Sequence, residues 1–241
     1  MRIRTLISAL GCAAVLLAGA VASADGIGIN FIGGGPPSGA EDLSVDNADG
    51  PAGVVPQSDW NNLPNASGAV GSVIDSNGIV LGATGVSWTS NNTWSVGNGS
   101  TTADHILMNG YLDTNSTDPT TVTISNVPYA LYDVYVYTDG DNTNDRIGSF
   151  DINGTAHLAQ DVATFAGVYD DATADGIGNY LLFEGLSGDT LAMATPVNFR
   201  APLNGLQIVD RTPPVPEPTA ALLYGAGMAL VGTVVRRRQS R

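Results

Sequence analysis

Leu131-Tyr132-Asp133-Val134-Tyr135-Val136-Tyr137-Thr138 decides the fold class. Tyr132, Val134, Val136 and Thr138 alternate with Leu131, Asp133, Tyr135 and Tyr137. This period of two gives a strand one aliphatic face and one face carrying two tyrosines with an aspartate. Short apolar runs of the same kind recur at Ile27 to Ile32, Ile79 to Trp88, His105 to Leu112, Thr120 to Val127, Arg146 to Ile152, Thr155 to Gln160, Thr164 to Tyr169, Asn179 to Phe183, Thr190 to Ala194 and Gly205 to Val209. Some eleven strands punctuated by Gly, Asn and Asp predict an all-β chain folded as an antiparallel β-sandwich. The two-residue Asn153-Gly154 turn inside Asp151-Ile152-Asn153-Gly154-Thr155 predicts a hairpin. Gly33 to Asn65 is long and turn-rich; it is expected to wrap the sandwich edge, with Trp60 either capping the core or exposed. No repeat of solenoid length and no heptad pattern is present.

Charge narrows the partners. All 23 Asp and Glu of the 241 residues lie between Asp25 and Glu217, where the only basic residues are Arg146, Arg200 and Arg211; three against 23 leaves −20 there, and the chain has no Lys. Such a surface repels phosphate backbones, so nucleic acid is excluded as a partner, while divalent cations and neutral polymers are compatible with it. The single cysteine, Cys12, precedes this body, which therefore holds no disulfide.

The two ends read as targeting segments. Arg2 and Arg4 precede an apolar stretch from Leu6 to Ala20, and Val21-Ala22-Ser23-Ala24 places small residues where a signal peptidase reads. Residues 1–24 are thus expected to be a signal peptide handled by the Sec machinery, with Ala22 and Ala24 at the cleavage site. At the other end, residues 213–218 form a Pro-rich linker. Residues 219–235 then run 17 positions without a charge, and 236–241 carry Arg236, Arg237 and Arg238. At 1.5 Å per residue the apolar run spans about 25 Å, enough for a short transmembrane helix with its arginines on the cytoplasmic side. Both signals put the body, residues 25–212, across the inner membrane; about 190 residues suit one domain.

Val215-Pro216-Glu217-Pro218, Leu222 to Val235 and Arg236-Arg237-Arg238 together resemble the tripartite tail of PEP-CTERM proteins. The resemblance covers about the last 27 residues. It implies that Pro216, Glu217, Pro218 and the arginines are read by an exosortase, a membrane cysteine protease-transpeptidase of Gram-negative bacteria that make exopolysaccharide. It further implies transient anchoring, then release or transfer to the cell surface or extracellular matrix. A plain tail anchor is the alternative. The body also resembles jelly-roll modules of the galactose-binding-like class, through Ile29-Asn30-Phe31, Val54-Val55-Pro56-Gln57-Ser58-Asp59-Trp60-Asn61-Asn62, Tyr132 to Tyr137 and Asn204-Gly205-Leu206-Gln207-Ile208-Val209. That resemblance implies first and last strands paired side by side, and carbohydrate binding as in many members.

Catalytic sets are scarce. His105 and His157 are the only histidines, both in predicted strands, and the body has neither a Gly-x-Ser-x-Gly elbow nor a cysteine. With 23 acids some carboxylate pair always reaches glycosidase separation, so no particular pair is informative. Gly33-Gly34-Gly35 lacks the following Lys of a phosphate-cradling loop. Asp139, Asp141, Asn144 and Asp145 concentrate oxygen ligands in one loop, as calcium requires, although a solvated turn uses the same residues. Asp170 to Gly176 reads the same two ways. Aromatic rings stack on the apolar C–H patches of sugars, so Trp60, Trp94, Tyr111 and Tyr169, if exposed, are candidate carbohydrate contacts, with Asn61 as a hydrogen-bonding neighbour. Trp88, in an apolar strand, reads as core. The expectation is a non-enzymatic surface or matrix protein that binds exopolysaccharide. A structural or adhesive envelope protein without a pocket and a divergent polysaccharide-cleaving enzyme are the alternatives.

Overall fold

A sheet of five strands has β10 (Tyr132–Tyr137) near its middle, between β13 (Tyr180–Leu186) and β15 (Gly205–Asp210), with β1 (Gly26–Phe31) and then β2 (Trp60–Leu63) beyond β15. The computed structural model describes residues 25–34, 43–98, 102–114, 118–140, 146–161, 163–196 and 200–212. The expected signal peptide with Ala22 and Ala24, the Pro-Glu-Pro linker, the apolar span and the arginine cluster lie outside the described residues, as do Asp141, Asn144 and Asp145. Among the described residues no helix is long and apolar enough to cross a membrane.

The second sheet has six strands in the order β12 (Thr155–Asp161), β11 (Arg146–Ile152), β14 (Thr190–Thr195), β9 (Thr120–Ser125), β6 (Gly85–Thr89) and β3 (Ser67–Val70). Two short ribbons complete the strands: β4 (Val73–Ile74) with β5 (Val80–Leu81), and β7 (Asn92–Ser95) with β8 (Gly110–Asp113). Ile27, Ile29, Phe31, Val134, Val136, Phe183, Leu206 and Ile208 of the first sheet form one buried cluster with Trp88, Val122, Ile124, Phe150, Ile152, Leu191 and Met193 of the second. Two sheets sharing one apolar filling make a β-sandwich. The first and last strands pair antiparallel, Ile27 opposite Ile208 and Ile29 opposite Leu206. Asn153 and Gly154 both take positive φ, 51° and 88°, as a tight turn between antiparallel β11 and β12 requires.

Ile79 to Trp88 is not one strand but two, β5 in a ribbon and β6 in the second sheet, and two further segments depart from the sequence reading. His105 to Leu112 is not one strand: a short helix α1 (Ala103–Leu107), capped by the Thr102 hydroxyl that accepts from the His105 N–H, precedes β8. Ala103, Ile106 and Leu107 bury one side of that single turn, and tertiary packing outweighs the alternation. Thr164 to Tyr169 forms a loop that carries side chains onto the outer face of the first sheet. Of turn-rich Gly33 to Asn65, the described residues 43–65 supply β2 at the sheet edge, which pairs parallel to β1 with Trp60 opposite Gly28. Gly28 permits that approach, because a Cβ there would stand 2.7 Å from the Trp60 ring.

Edges are closed by side-chain amides and by one folded segment. On β2, the Asn61 amide donates to Ile74 O (2.8 Å) and Gly28 O (2.9 Å) and accepts from Ile74 N–H (2.8 Å). Asn62 does the same for Val45, accepting from its N–H (2.9 Å) and donating to its O (3.1 Å). Each carboxamide substitutes for a strand's peptide group, so two neighbouring segments dock on β2 without extending the sheet. On the opposite flank, residues 170–178 pair with both edge strands: Ala172 N–H donates to Tyr180 O (2.9 Å) and Gln160 N–H to Gly176 O (2.7 Å). Asn61→Ala deletes three hydrogen bonds and leaves Ile74 without its partner. We expect it to lower unfolding free energy by about 2–3 kcal/mol in urea titration, and an unchanged midpoint would show that the amide does not hold β4.

Candidate functional site

The outer face of β10 carries Asp133, Tyr135 and Tyr137, and strand pairing sets Tyr180 opposite Tyr137. A loop supplies the rest. Phe165 N–H donates to Asp139 Oδ2 (3.0 Å), and the Asn179 amide accepts from Asp170 N–H (2.9 Å) and donates to Val168 O (3.0 Å). These bonds fold residues 163–170 back against the start of β13. Between them lies an open cleft of about 400 Å³, lined chiefly by Thr164, Phe165, Val168, Asp170 and Asn179. Val168 stands 71% exposed at its mouth.

Beneath this loop is a second, smaller core containing Val45, Trp60, Ile106, Leu107, Met108, Tyr137 and Phe165. Its rings are contiguous. His105 meets Phe165 at 5.2 Å between centroids, Phe165 meets Tyr169 at 5.0 Å, and Tyr169 meets Tyr137 at 5.4 Å and Tyr180 at 6.3 Å. The Tyr137 hydroxyl donates to Gln207 Oε1 (2.7 Å) and accepts from Val54 N–H (2.8 Å). The Tyr169 hydroxyl donates to Asp104 Oδ1 (2.7 Å), which also accepts from Gly53 N–H (2.9 Å). Burial pushes both phenols up in pKa, and for Tyr169 the neighbouring Tyr137 and Asp104 add to it. Tyr135 and Tyr180, half-buried, face each other at 6.1 Å and 39° and present ring surface to solvent. Their phenols are raised by desolvation first, then by Asp133 beside Tyr135 and Asp171 beside Tyr180.

The sequence-predicted site residues are dispersed. Trp60 is 4% exposed, with its ring edge on Tyr137 and its Nε1–H donated to Gln57 O (3.1 Å), so it is a core residue without a free ring face. Tyr111 is fully buried and is likewise unavailable for stacking. Trp94 is half-buried opposite Tyr111 on the β7–β8 ribbon. Asn61 spends its amide on β4, and with Trp60, Leu63, Val73 and Val80 it lines a separate groove of about 350 Å³. Asp139 is fully buried, its carboxylate holding the Phe165 N–H and its own N–H donated to Asn204 Oδ1 (2.6 Å). It serves as a loop anchor. In the second acidic loop Asp171 and Asp175 each accept a backbone N–H two residues on, which is turn chemistry. Among the described residues no three His, Cys, Asp or Glu converge as a metal site. His105 sits in α1 against Phe165, and His157 in β12 against Phe183 at 4.7 Å. Tyr169 alone of the predicted aromatic contacts belongs to the face described here. Tyr135 and Tyr180 are not among the sequence-predicted contacts; the tyrosine-bearing face of residues 131–138 signals the first of them, whereas Tyr180 reaches it only through strand pairing.

No family model matches the chain, and no curated protein does. Among solved structures it is similar to an exo-β-1,3-galactanase from Phanerochaete chrysosporium with β-1,3-galactotriose, at 15% identity over 60% of this chain and 28% of the other, TM-score 0.31. It is also similar to Xyl-CBM35 in complex with a glucuronic acid containing disaccharide, at 14% identity over 43% of this chain and 75% of the other, TM-score 0.29. A GH87 α-1,3-glucanase catalytic domain in complex with nigerose matches at 11% identity over 45% of this chain and 23% of the other, TM-score 0.27. The chain spans under a third of the length of the enzymes among these. Scores of this size decide neither fold nor function, which rest on the geometry above.

The buried phenols fix a pH dependence. Unfolded tyrosines ionise near the ordinary 10.0, whereas Tyr137 and Tyr169 keep their protons in the fold to higher pH. Above that pH the unfolded chain binds fewer protons than the folded one, so stability is full below about pH 10 and falls as pH rises further. We expect urea midpoints to hold to about pH 9 and drop by about pH 11, with tyrosinate absorbance appearing together with unfolding, and Tyr169→Phe to flatten the drop. Midpoints level across that range would contradict the buried network.

Proposed function

We propose that this chain is an exported, non-enzymatic surface or matrix protein that binds exopolysaccharide on the Tyr135–Tyr180 face. The observation that carries this reading is a pair of half-exposed, mutually tilted tyrosines beside an open cleft with polar and apolar lining. Tyrosines offer sugars an apolar ring face together with a hydroxyl. The face is built on rigid parts: β10 is paired on both sides in its sheet, and the Tyr137 and Tyr169 hydroxyls lock the underlayer. Such a surface binds with little ordering cost. The two histidines lie on different elements, His105 in α1 against Phe165 and His157 in β12 against Phe183. The signal peptide and the tripartite tail support delivery across the inner membrane and sorting by an exosortase, with Pro216, Glu217, Pro218 and the arginine cluster as the recognised elements.

Calorimetric titration with the producing organism's exopolysaccharide tests the site. Tyr135→Ala and Tyr180→Ala are each expected to weaken binding about tenfold, equivalent to about 1.4 kcal/mol, in variants that still unfold cooperatively at a lowered thermal midpoint. Binding that survives both changes would place the site elsewhere. A folded parent that gives no heat would favour the structural, adhesive reading.

Sorting is read separately, from the mature C-terminus by mass spectrometry. We expect a chain shortened near Pro218, and an intact tail in Glu217→Ala. An uncleaved tail in the parent would leave a membrane anchor and no exosortase substrate.

A further inference from the structure

Charge around the tyrosine face is one-sided. Asp170, Asp171 and Asp175 are all exposed on the segment that links the cleft to Tyr180, and Asp170 lines the cleft itself. At the far end of the same face Asp133 and Glu184 meet one cation, Arg211, at 3.3 Å each. The other two arginines of the body, Arg146 and Arg200, are both turned onto Asp113, at 3.6 and 3.0 Å. The body's three cations are therefore engaged within the fold, none of them on the Asp170–Asp175 segment.

We propose that the polymer held by the Tyr135–Tyr180 face is an amino-sugar polymer with free, protonated amines, and that acidic polysaccharides are refused. This rests on the preceding reading that the face binds polysaccharide at all. The chemistry is complementary on two counts. An ammonium group is attracted to the electron-rich faces of tyrosine rings, and more so where carboxylates border them. A uronate or sulfated polymer meets the same carboxylates as like charges and would have to bring cations with it. Desolvation raises both phenols first; Asp133 beside Tyr135 and Asp171 beside Tyr180 add to it, while Arg211 lowers Tyr135.

The test titrates the mature exported chain, at slightly acid pH, with three oligosaccharides of matched length: deacetylated chito-oligosaccharide, its fully N-acetylated counterpart, and an oligoglucuronate. The expected order is deacetylated about tenfold tighter than acetylated at low salt, with the two converging as ionic strength rises, and no binding of the glucuronate. Asp170→Asn combined with Asp171→Asn should erase the preference for free amines, bringing the two chito-oligosaccharides to equal affinity. Tyr180→Ala should weaken both oligomers; cationic binding that survives it is adsorption to a polyanion and overturns the proposal. Equal affinity for the two chito-oligosaccharides, or tighter binding of the glucuronate, overturns the amino-sugar inference while the polysaccharide-binding reading stands. If none of the three and no native exopolysaccharide binds, the reading itself fails, and the inference with it.

Discussion

The Tyr137 hydroxyl is the contact on which the second half of this structure depends. It lies on the outer face of a strand paired on both sides, where a sandwich ordinarily meets water, yet it is fully buried. It can be buried because both its hydrogen-bonding capacities are met, the donor by Gln207 and the acceptor by Val54 N–H. A buried hydroxyl lacking either partner would cost about 1–3 kcal/mol. In meeting them, Tyr137 brings residues 52–57 down onto the sheet and gives Trp60 and Tyr169 a ring to pack against. The loop that forms the cleft then rests on Tyr169 and Phe165, so the geometry of the candidate site descends from one phenol.

The same layering explains how an acidic chain with no disulfide in its body holds long loops. Its loops are fastened by polar side chains that imitate backbone: Asn61 for Ile74, Asn62 for Val45, Asn179 for residues 168–170, Asn204 for Asp139. Carboxamides carry a donor and an acceptor with the geometry of a peptide group and no charge. They add no repulsion to a body already at −20. Buried hydroxyls do similar work where β9 meets β14, as Thr114 bonds both Thr120 (2.7 Å) and Thr195 (2.9 Å).

Sequence reasoning reached the sandwich because strand alternation, the Asn153-Gly154 turn and the resemblance of the terminal strands are local signals or depend on one long-range pairing. It could not reach the second core. Tyr137 belongs by alternation to a solvent face, and only the arrival of α1 and of the more distant residues 45–57, whose Val54 lies 83 positions away, makes that face an interior. For the same reason the sequence leaves Trp60 and Tyr111 as sugar contacts if exposed, and tertiary packing buries both. His105 to Leu112 alternates like a strand because a helix of one turn followed by a short strand leaves too few residues for either period to show. The tyrosine pair was half legible: Tyr135 stood on the polar face of the deciding stretch, but its neighbour Tyr180 depends on which strand lies beside β10.

The placement of the face at one flank of the sandwich has a structural cause. The edge strands β12 and β13 both end their ladders on residues 170–178, which occupy the hydrogen-bonding positions another chain could otherwise use. Blocking an edge with a loop protects it from strand addition, and here the loop is rich in Asp and Gly, which turn sharply and carry charge outward. The acidic residues beside Tyr180 are thus part of an edge guard as well as a border to the tyrosines. A ligand for this flank must satisfy the guard's charge as well as the rings, whereas the flank at β2 is closed by neutral amides and lines a groove with apolar walls. Two closures of one sandwich, one anionic and one neutral, leave its two flanks chemically unlike, and it is the anionic flank that holds exposed aromatic surface.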